Sequence, residues 1–131
     1  MRIHHVQIGI PAGGEDDGRR FYAVGLGLTE VAKPAELATR GGAWFRSPGG
    51  AEIHLGVERD PRPPERAHPA LAVDTEAELE QLGERLTTMG YDVDWSQRYN
   101  AETFQRFHVH DPFGNRIEVV WPLLTEPRAR G

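Results

Sequence analysis

The 131-residue chain contains no cysteine. That excludes disulfide bonds and removes thiolate from the available nucleophiles and metal ligands, and it is compatible with a reducing cytoplasm, the expected location. Long apolar runs are lacking as well. The opening segment MRIHHVQIGI is too short and too polar for a secretory leader or a membrane span, so neither is expected. Nor is there an excess of positive charge. The formal net charge is −5, and the arginines are interspersed with Asp and Glu, whereas phosphate backbones are recognised by basic surfaces. Neither nucleic acid nor membrane is an expected partner. What remains has the length of one domain, enough to bury a core without covalent staples.

The chain repeats itself. Ser47-Pro48-Gly49-Gly50-Ala51-Glu52-Ile53-His54-Leu55 aligns with Asp111-Pro112-Phe113-Gly114-Asn115-Arg116-Ile117-Glu118-Val119 at an offset of 64. His5-Val6-Gln7-Ile8 aligns with His68-Pro69-Ala70-Leu71, and Gly27-Leu28-Thr29-Glu30-Val31 with Gly90-Tyr91-Asp92-Val93-Asp94, both at 63. Three pairs in the same order at nearly one offset indicate an internal duplication. Module one runs over 1–58 and module two over 67–122, with a tail over 123–131 whose last residues, Glu126 to Gly131, are expected to fray. The linker, 59–66, carries three prolines and five charged residues, a composition that continues neither a central strand nor a helix.

Each module reads as a strand, a helix and three strands. In module one the spacing predicts a strand over 3–10, a helix over 15–25 capped by Asp16 or Asp17, and strands near 28–32, 42–46 and 51–57. In module two it predicts a strand over 68–73, a helix over 76–89 and strands near 91–95, 104–110 and 116–121. Thr75 followed by Glu78 is a capping-box pattern, Leu79, Leu82, Leu86 and Met89 form one helical stripe, and Gly90 stops the helix. The class is α+β, two βαβββ modules forming a curved mixed sheet around a central cup.

Strand side chains alternate between faces, so the apolar positions fix which polar ones share the opposite side. If Val6, Ile8 and Ile10 pack under the helices, His5 and Gln7 face away. If Ile53 and Leu55 pack, Glu52 and His54 face away; if Leu71 and Val73 pack, so does His68. By the same count Arg106, His108 and His110, and then Arg116 and Glu118, point away from the helices. The duplication makes His5 equivalent to His68 and His54 to Glu118, and a pseudo-twofold axis brings these four together.

With this pattern in place the chain resembles the vicinal oxygen chelate superfamily, which includes glyoxalase I, fosfomycin- and bleomycin-resistance proteins and extradiol dioxygenases, and within it the uncharacterised bacterial glyoxalase-like proteins. The resemblance covers residues 3–122 and rests on His5-Val6, Phe21-Tyr22 with Gly25-Leu26-Gly27-Leu28, His68, and above all Asp111-Pro112-Phe113-Gly114-Asn115-Arg116-Ile117-Glu118. It implies one glyoxalase-like domain and a divalent metal (Zn, Ni, Mn or Fe) on His5, His68, Glu118 and His54. His54 departs from the carboxylate that glyoxalase I would lead one to expect there, and it reads equally as a fourth ligand or a pocket histidine. His108 stands where fosfomycin-resistance proteins and extradiol dioxygenases often carry a substrate-facing tyrosine. Two imidazoles and a carboxylate with open positions suit a first-row metal.

The expected activity is that of a lyase or isomerase on a small oxygen-chelating substrate, with a Lewis acid stabilising an enediolate and Glu118, His54 or His108 moving the proton. Gln7, Trp44, Arg106 and His108 are the expected substrate contacts. Two alternatives stay open: an extradiol-type ring-cleaving dioxygenase using His5, His68 and Glu118, and a drug- or metabolite-binding protein without catalysis. A homodimer is expected from the resemblance, and sheet edges left unpaired within one chain favour it.

Overall fold

The computed structural model describes residues 1–123, so the expected tail lies, beyond its first residue, outside the described residues. Module one supplies β1 (His5–Ile10), α1 (Glu15–Arg19) continued by a π-helical turn (Arg20–Gly25), β2 (Thr29–Val31), β3 (Ala43–Arg46) and β4 (Glu52–Val57). Module two supplies β5 (Ala70–Ala72), α2 (Glu76–Thr88), β6 (Val93–Asp94), β7 (Phe104–His110) and β8 (Arg116–Pro122). The strands form two four-stranded mixed sheets, ordered β1-β4-β3-β2 and β5-β8-β7-β6. In each, the first strand pairs in parallel with the last, and the other pairings are antiparallel.

The duplication extends to register. Gln7 pairs with His54 as Ala70 pairs with Glu118. Trp44 pairs with His54 as His108 pairs with Glu118. Trp44 and His108 are therefore equivalent, as are Glu52 and Arg116, which sit opposite Arg46 and His110.

Local sequence explains the helices. Thr75 Oγ1 accepts a hydrogen bond from the Glu78 backbone N–H at 3.1 Å, and the Glu78 carboxylate returns to the Asp74 N–H, one residue before the usual partner. Leu79, Leu82 and Leu86 are buried, and Gly90, at φ +96°, lets the Tyr91 N–H reach back to the Leu86 carbonyl. The expected cap on α1 differs. Gly14 occupies the cap position and no side chain caps the helix; Asp16 lies inside the first turn, bonded to Arg19. Acidic residues there still favour the positive end of the helix.

One continuous core joins the modules, running from Ile8, Ile10, Phe21, Tyr22 and Phe45 to Leu79, Leu86, Phe107, Ile117 and Val119. The two helices meet across it, with Arg85 Nε donating to the Gly25 carbonyl at 2.9 Å and Arg20 Nη1 to the Tyr91 hydroxyl at 2.8 Å.

The Asp-Pro-Phe-Gly-Asn turn is a second tie. Buried Asp111 accepts four hydrogen bonds: from the Phe113 and Asn115 backbone N–H groups, from Asn115 Nδ2, and from the Tyr22 hydroxyl of the other module at 2.7 Å. Asn115 Nδ2 also donates to the Gly9 carbonyl of β1 at 3.1 Å. Burial first, then Asp111, raises the Tyr22 pKa well above its ordinary 10, so the hydroxyl stays a donor.

Candidate metal centre and pocket

Strand alternation puts the polar side chains where the sequence pattern expects them. On the first sheet His5, Gln7, Trp44, Glu52 and His54 share the face away from the core; on the second, Arg106, His108, Arg116 and Glu118 do.

On the second sheet three groups converge. His68, His108 and Glu118 each bring one ligand atom within 4.8 Å of the others, the one such group able to hold a metal among the described residues. Glu118 Oε1 lies 2.9 Å from His68 Nε2, 3.2 Å from His108 Nε2 and 3.4 Å from Arg106 Nη1. The carboxylate is buried, so it needs partners of this kind.

His68 tests the fit to a metal. Its Nδ1 is 2.6 Å from the Arg66 carbonyl oxygen. A carbonyl only accepts, so Nδ1 carries a hydrogen, and Nε2 faces the Glu118 carboxylate. Two electron-rich atoms 2.9 Å apart are stable only with a cation between them, a proton or a metal. An imidazole whose other nitrogen donates to a backbone carbonyl is the usual preparation of a metal ligand. The residues present therefore fit a divalent ion.

His108, buried on β7, has its Nε2 toward Glu118, and its Nδ1 is buried with no partner among the described residues. Burial first, then the Arg116 guanidinium, pushes its pKa down, which keeps the ring neutral at pH 7. His110 is exposed and opposite Arg116.

The first sheet carries a different arrangement. His54 is sandwiched between Trp44, with ring centroids 3.8 Å apart, and His5, at 4.1 Å, both nearly parallel to it. Its Nε2 donates to Glu52 Oε1 at 2.8 Å, leaving Nδ1 as the lone-pair nitrogen. Burial lowers the His54 pKa, and the Glu52 bond partly opposes this. Glu52 also accepts from Arg46 Nε at 2.8 Å. His4 Nδ1 and His5 Nδ1 are 3.0 Å apart.

Within one chain, then, the four-residue cup is not assembled. His68 and Glu118 are joined by His108, while His5 and His54 stand in a separate cluster with Trp44 and Glu52. The sequence pattern put Glu52 and Arg116 on the correct faces but did not single them out. Their signal was position i−2 from His54 and from Glu118, the same-face spacing on a strand.

Hydrogen bonds from His54 first, then Arg46, pull the Glu52 pKa from 4.5 down to about 2. A folded value below the unfolded one stabilises the fold fully above pH 4.5, and that stabilisation is lost as pH falls toward 2. Glu52→Gln is expected to flatten this acid limb. Urea unfolding of both proteins at pH 7, 4 and 3 checks it; parallel stability–pH curves would contradict the assignment.

A polar pocket of about 520 Å³ opens over the second-sheet group, lined by Arg66, His68, Gln97, Arg106, His108 and Arg116. Arg106 is held by Asn100 Oδ1 at 2.8 Å and Gln97 Oε1 at 3.2 Å. A second, apolar cleft of about 780 Å³ runs between β1 and β5, one edge strand of each sheet, and takes in His4, Gln7 and His68. Among the described residues no helix is long and apolar enough to cross a membrane.

A fold of paired βαβββ modules with a His/Glu group on a sheet face defines a class of small-molecule-handling proteins, and comparison with known proteins identifies it. The sequence model of the Glyoxalase/Bleomycin resistance protein/Dioxygenase superfamily matches residues 2–119, so the chain belongs to that superfamily. Its members typically use divalent metals and bind small molecules such as substrates or antibiotics. Among solved structures, a protein from Bacillus anthracis assigned to the glyoxalase family is 40% identical, with a TM-score of 0.83 over 93% of this chain and 95% of that one. Lactoylglutathione lyase from Agrobacterium tumefaciens is 20% identical (TM-score 0.70, 96% and 97% covered). TnmS3, an antibiotic binding protein from Streptomyces sp. CB03234, is 19% identical (TM-score 0.70, 93% and 96% covered). These last two likenesses show the fold alone. No curated protein sequence matches the chain.

Proposed function

We propose that the protein is a metal-dependent lyase or isomerase of the cytoplasm, acting as a homodimer on a small substrate that offers two vicinal oxygens. The observation that carries the reading is the contact between His68 and Glu118, an imidazole Nε2 2.9 Å from a buried carboxylate oxygen, with the other ring nitrogen tied to the Arg66 carbonyl. A divalent ion on these two residues supplies Lewis-acid polarisation of the substrate oxygens.

His5 and His54 are the remaining ligands of the reading, and they come from a second copy. Three features support this: they do not join His68 and Glu118 within one chain, they lie on a face turned away from the core, and β1 and β5 are both free edges. Glu52 holds His54 with Nδ1 as its free nitrogen. His108 is the group that moves the proton: it is neutral, buried, and has one ring nitrogen on Glu118 and the other unpartnered. Glu118 and His54 are the other two candidates for that step. Gln7, Trp44 and Arg106 orient the substrate.

His5, His68 and Glu118 without His54 would make the two-imidazole, one-carboxylate set of Fe(II) oxygenases, and that favours ring cleavage as the second reading. The test loads the protein with Zn, Ni, Mn or Fe in turn. It follows solvent deuterium exchange in a panel of α-hydroxyketones by proton NMR, with catechols in an oxygen electrode alongside. Metal-dependent exchange without oxygen uptake is expected. Oxygen uptake with catechols would establish the second reading, and tight small-molecule binding with neither reaction would make this a binding protein.

A further inference from the structure

The pocket over His68 and Glu118 has a charge opposite to that of the whole chain. Its lining brings Arg66, Arg106 and Arg116 together with two histidines, in a protein of net charge −5. One carboxylate contacts this group directly, Glu118, and its nearer contacts at Oε1 are the two histidines; the Arg106 contact is the longest of the three at 3.4 Å. A second, Asp94, paired with His108 across β6 and β7, lies within the field of Arg116 but makes its hydrogen bond to the Ser96 N–H, so two carboxylates stand against three guanidiniums. Arg116 makes no hydrogen bond or ion pair with any described side chain, although it lies on the same strand face as Glu118, two residues away.

Cations gathered in a polar recess repel one another unless an anion joins them, and a metal on His68 and Glu118 adds to that charge. Guanidinium forks match the two oxygens of a carboxylate. Resting on the proposed chelation of vicinal oxygens, we propose that the substrate is itself an anion, a 2-hydroxy or 2-oxo carboxylate, whose carboxylate docks on Arg116 with Arg106 beside it. In such a molecule the carboxylate and the adjacent oxygen already form a vicinal pair, so one small group satisfies both the arginines and the chelating centre.

The experiment titrates the full chain, with and without added Zn, with glycolate, with its neutral isostere glycolamide, and with inorganic phosphate, by calorimetry at low ionic strength. Glycolate is expected to bind, glycolamide at least about tenfold more weakly, and Arg116→Gln to remove roughly tenfold or more of the glycolate affinity. Arg116→Lys, keeping the charge, is expected to retain part of it, and added NaCl to weaken it. Equal binding of glycolate and glycolamide, tighter binding of phosphate than of glycolate, or an unchanged affinity in Arg116→Gln would each overturn the proposal. Zn uptake measured on the same samples keeps the two readings apart. Normal Zn uptake without anion selectivity sinks the anion alone, and glycolate binding without Zn uptake sinks the metal alone.

Discussion

Glu118→Gln is expected to lower affinity for divalent metal at least about 100-fold, since removing even an outer partner of a ligand costs 10–100-fold. Gln keeps the volume and one acceptor oxygen, so His68 and His108 retain a partner and the fold survives. What is lost is the negative charge that both binds a dication and offsets the neighbouring arginines. Equilibrium dialysis against Zn followed by elemental analysis reads the effect, and circular dichroism confirms that the variant is folded. His108→Gln is expected to weaken uptake far less, because His108 also serves as a donor to Glu118. Equal metal content in wild type and Glu118→Gln would refute the assignment.

The second large effect is on stability. Asp111→Ala deprives four donors of their acceptor, two of them backbone N–H groups and one the Tyr22 hydroxyl. At roughly 1 kcal/mol for each broken bond, the loss is about 4 kcal/mol. For a domain of this size that lowers Tm by roughly 15 °C. Tyr22→Phe removes a single donor and is expected to cost about 1 kcal/mol. Thermal and urea unfolding of the three proteins check the ratio. A loss below 1 kcal/mol for Asp111→Ala would contradict the view that this turn locks the modules together.

Much of the fold was legible because its two periods are. Alternation along β4, β7 and β8 assigned Ile53, Phe107 and Ile117 to the core and His54, His108 and Glu118 to the other face, as observed. The Leu79, Leu82 and Leu86 stripe and its Thr75 cap were equally local. The cap of α1 was not, because Asp16 and Gly14 both fit a helix start, and the backbone settled on Gly14.

The site was legible only in halves. Alternation says which face a side chain takes, but not how two sheets are set against each other. That depends on long-range contacts such as Tyr22 with Asp111 and Asn115 with Gly9, which have no periodic signature. Pseudo-symmetry of the sequence therefore pointed to four ligands in one cup, while the chain keeps His5 and His54 apart from His68 and Glu118. The stacking of Trp44, His54 and His5 escaped for a similar reason: register, not composition, creates it. His108 joined the metal-capable group because β7 pairs it directly with Glu118.

The most direct test is a crystal grown with a divalent first-row ion and measured at that metal's absorption edge. An anomalous peak is expected at coordination distance from His68 Nε2 and the Glu118 carboxylate, completed by His5 and His54 of a second copy. A fully loaded crystal with no peak there, or with its ion on the His4–His5 pair instead, would contradict it.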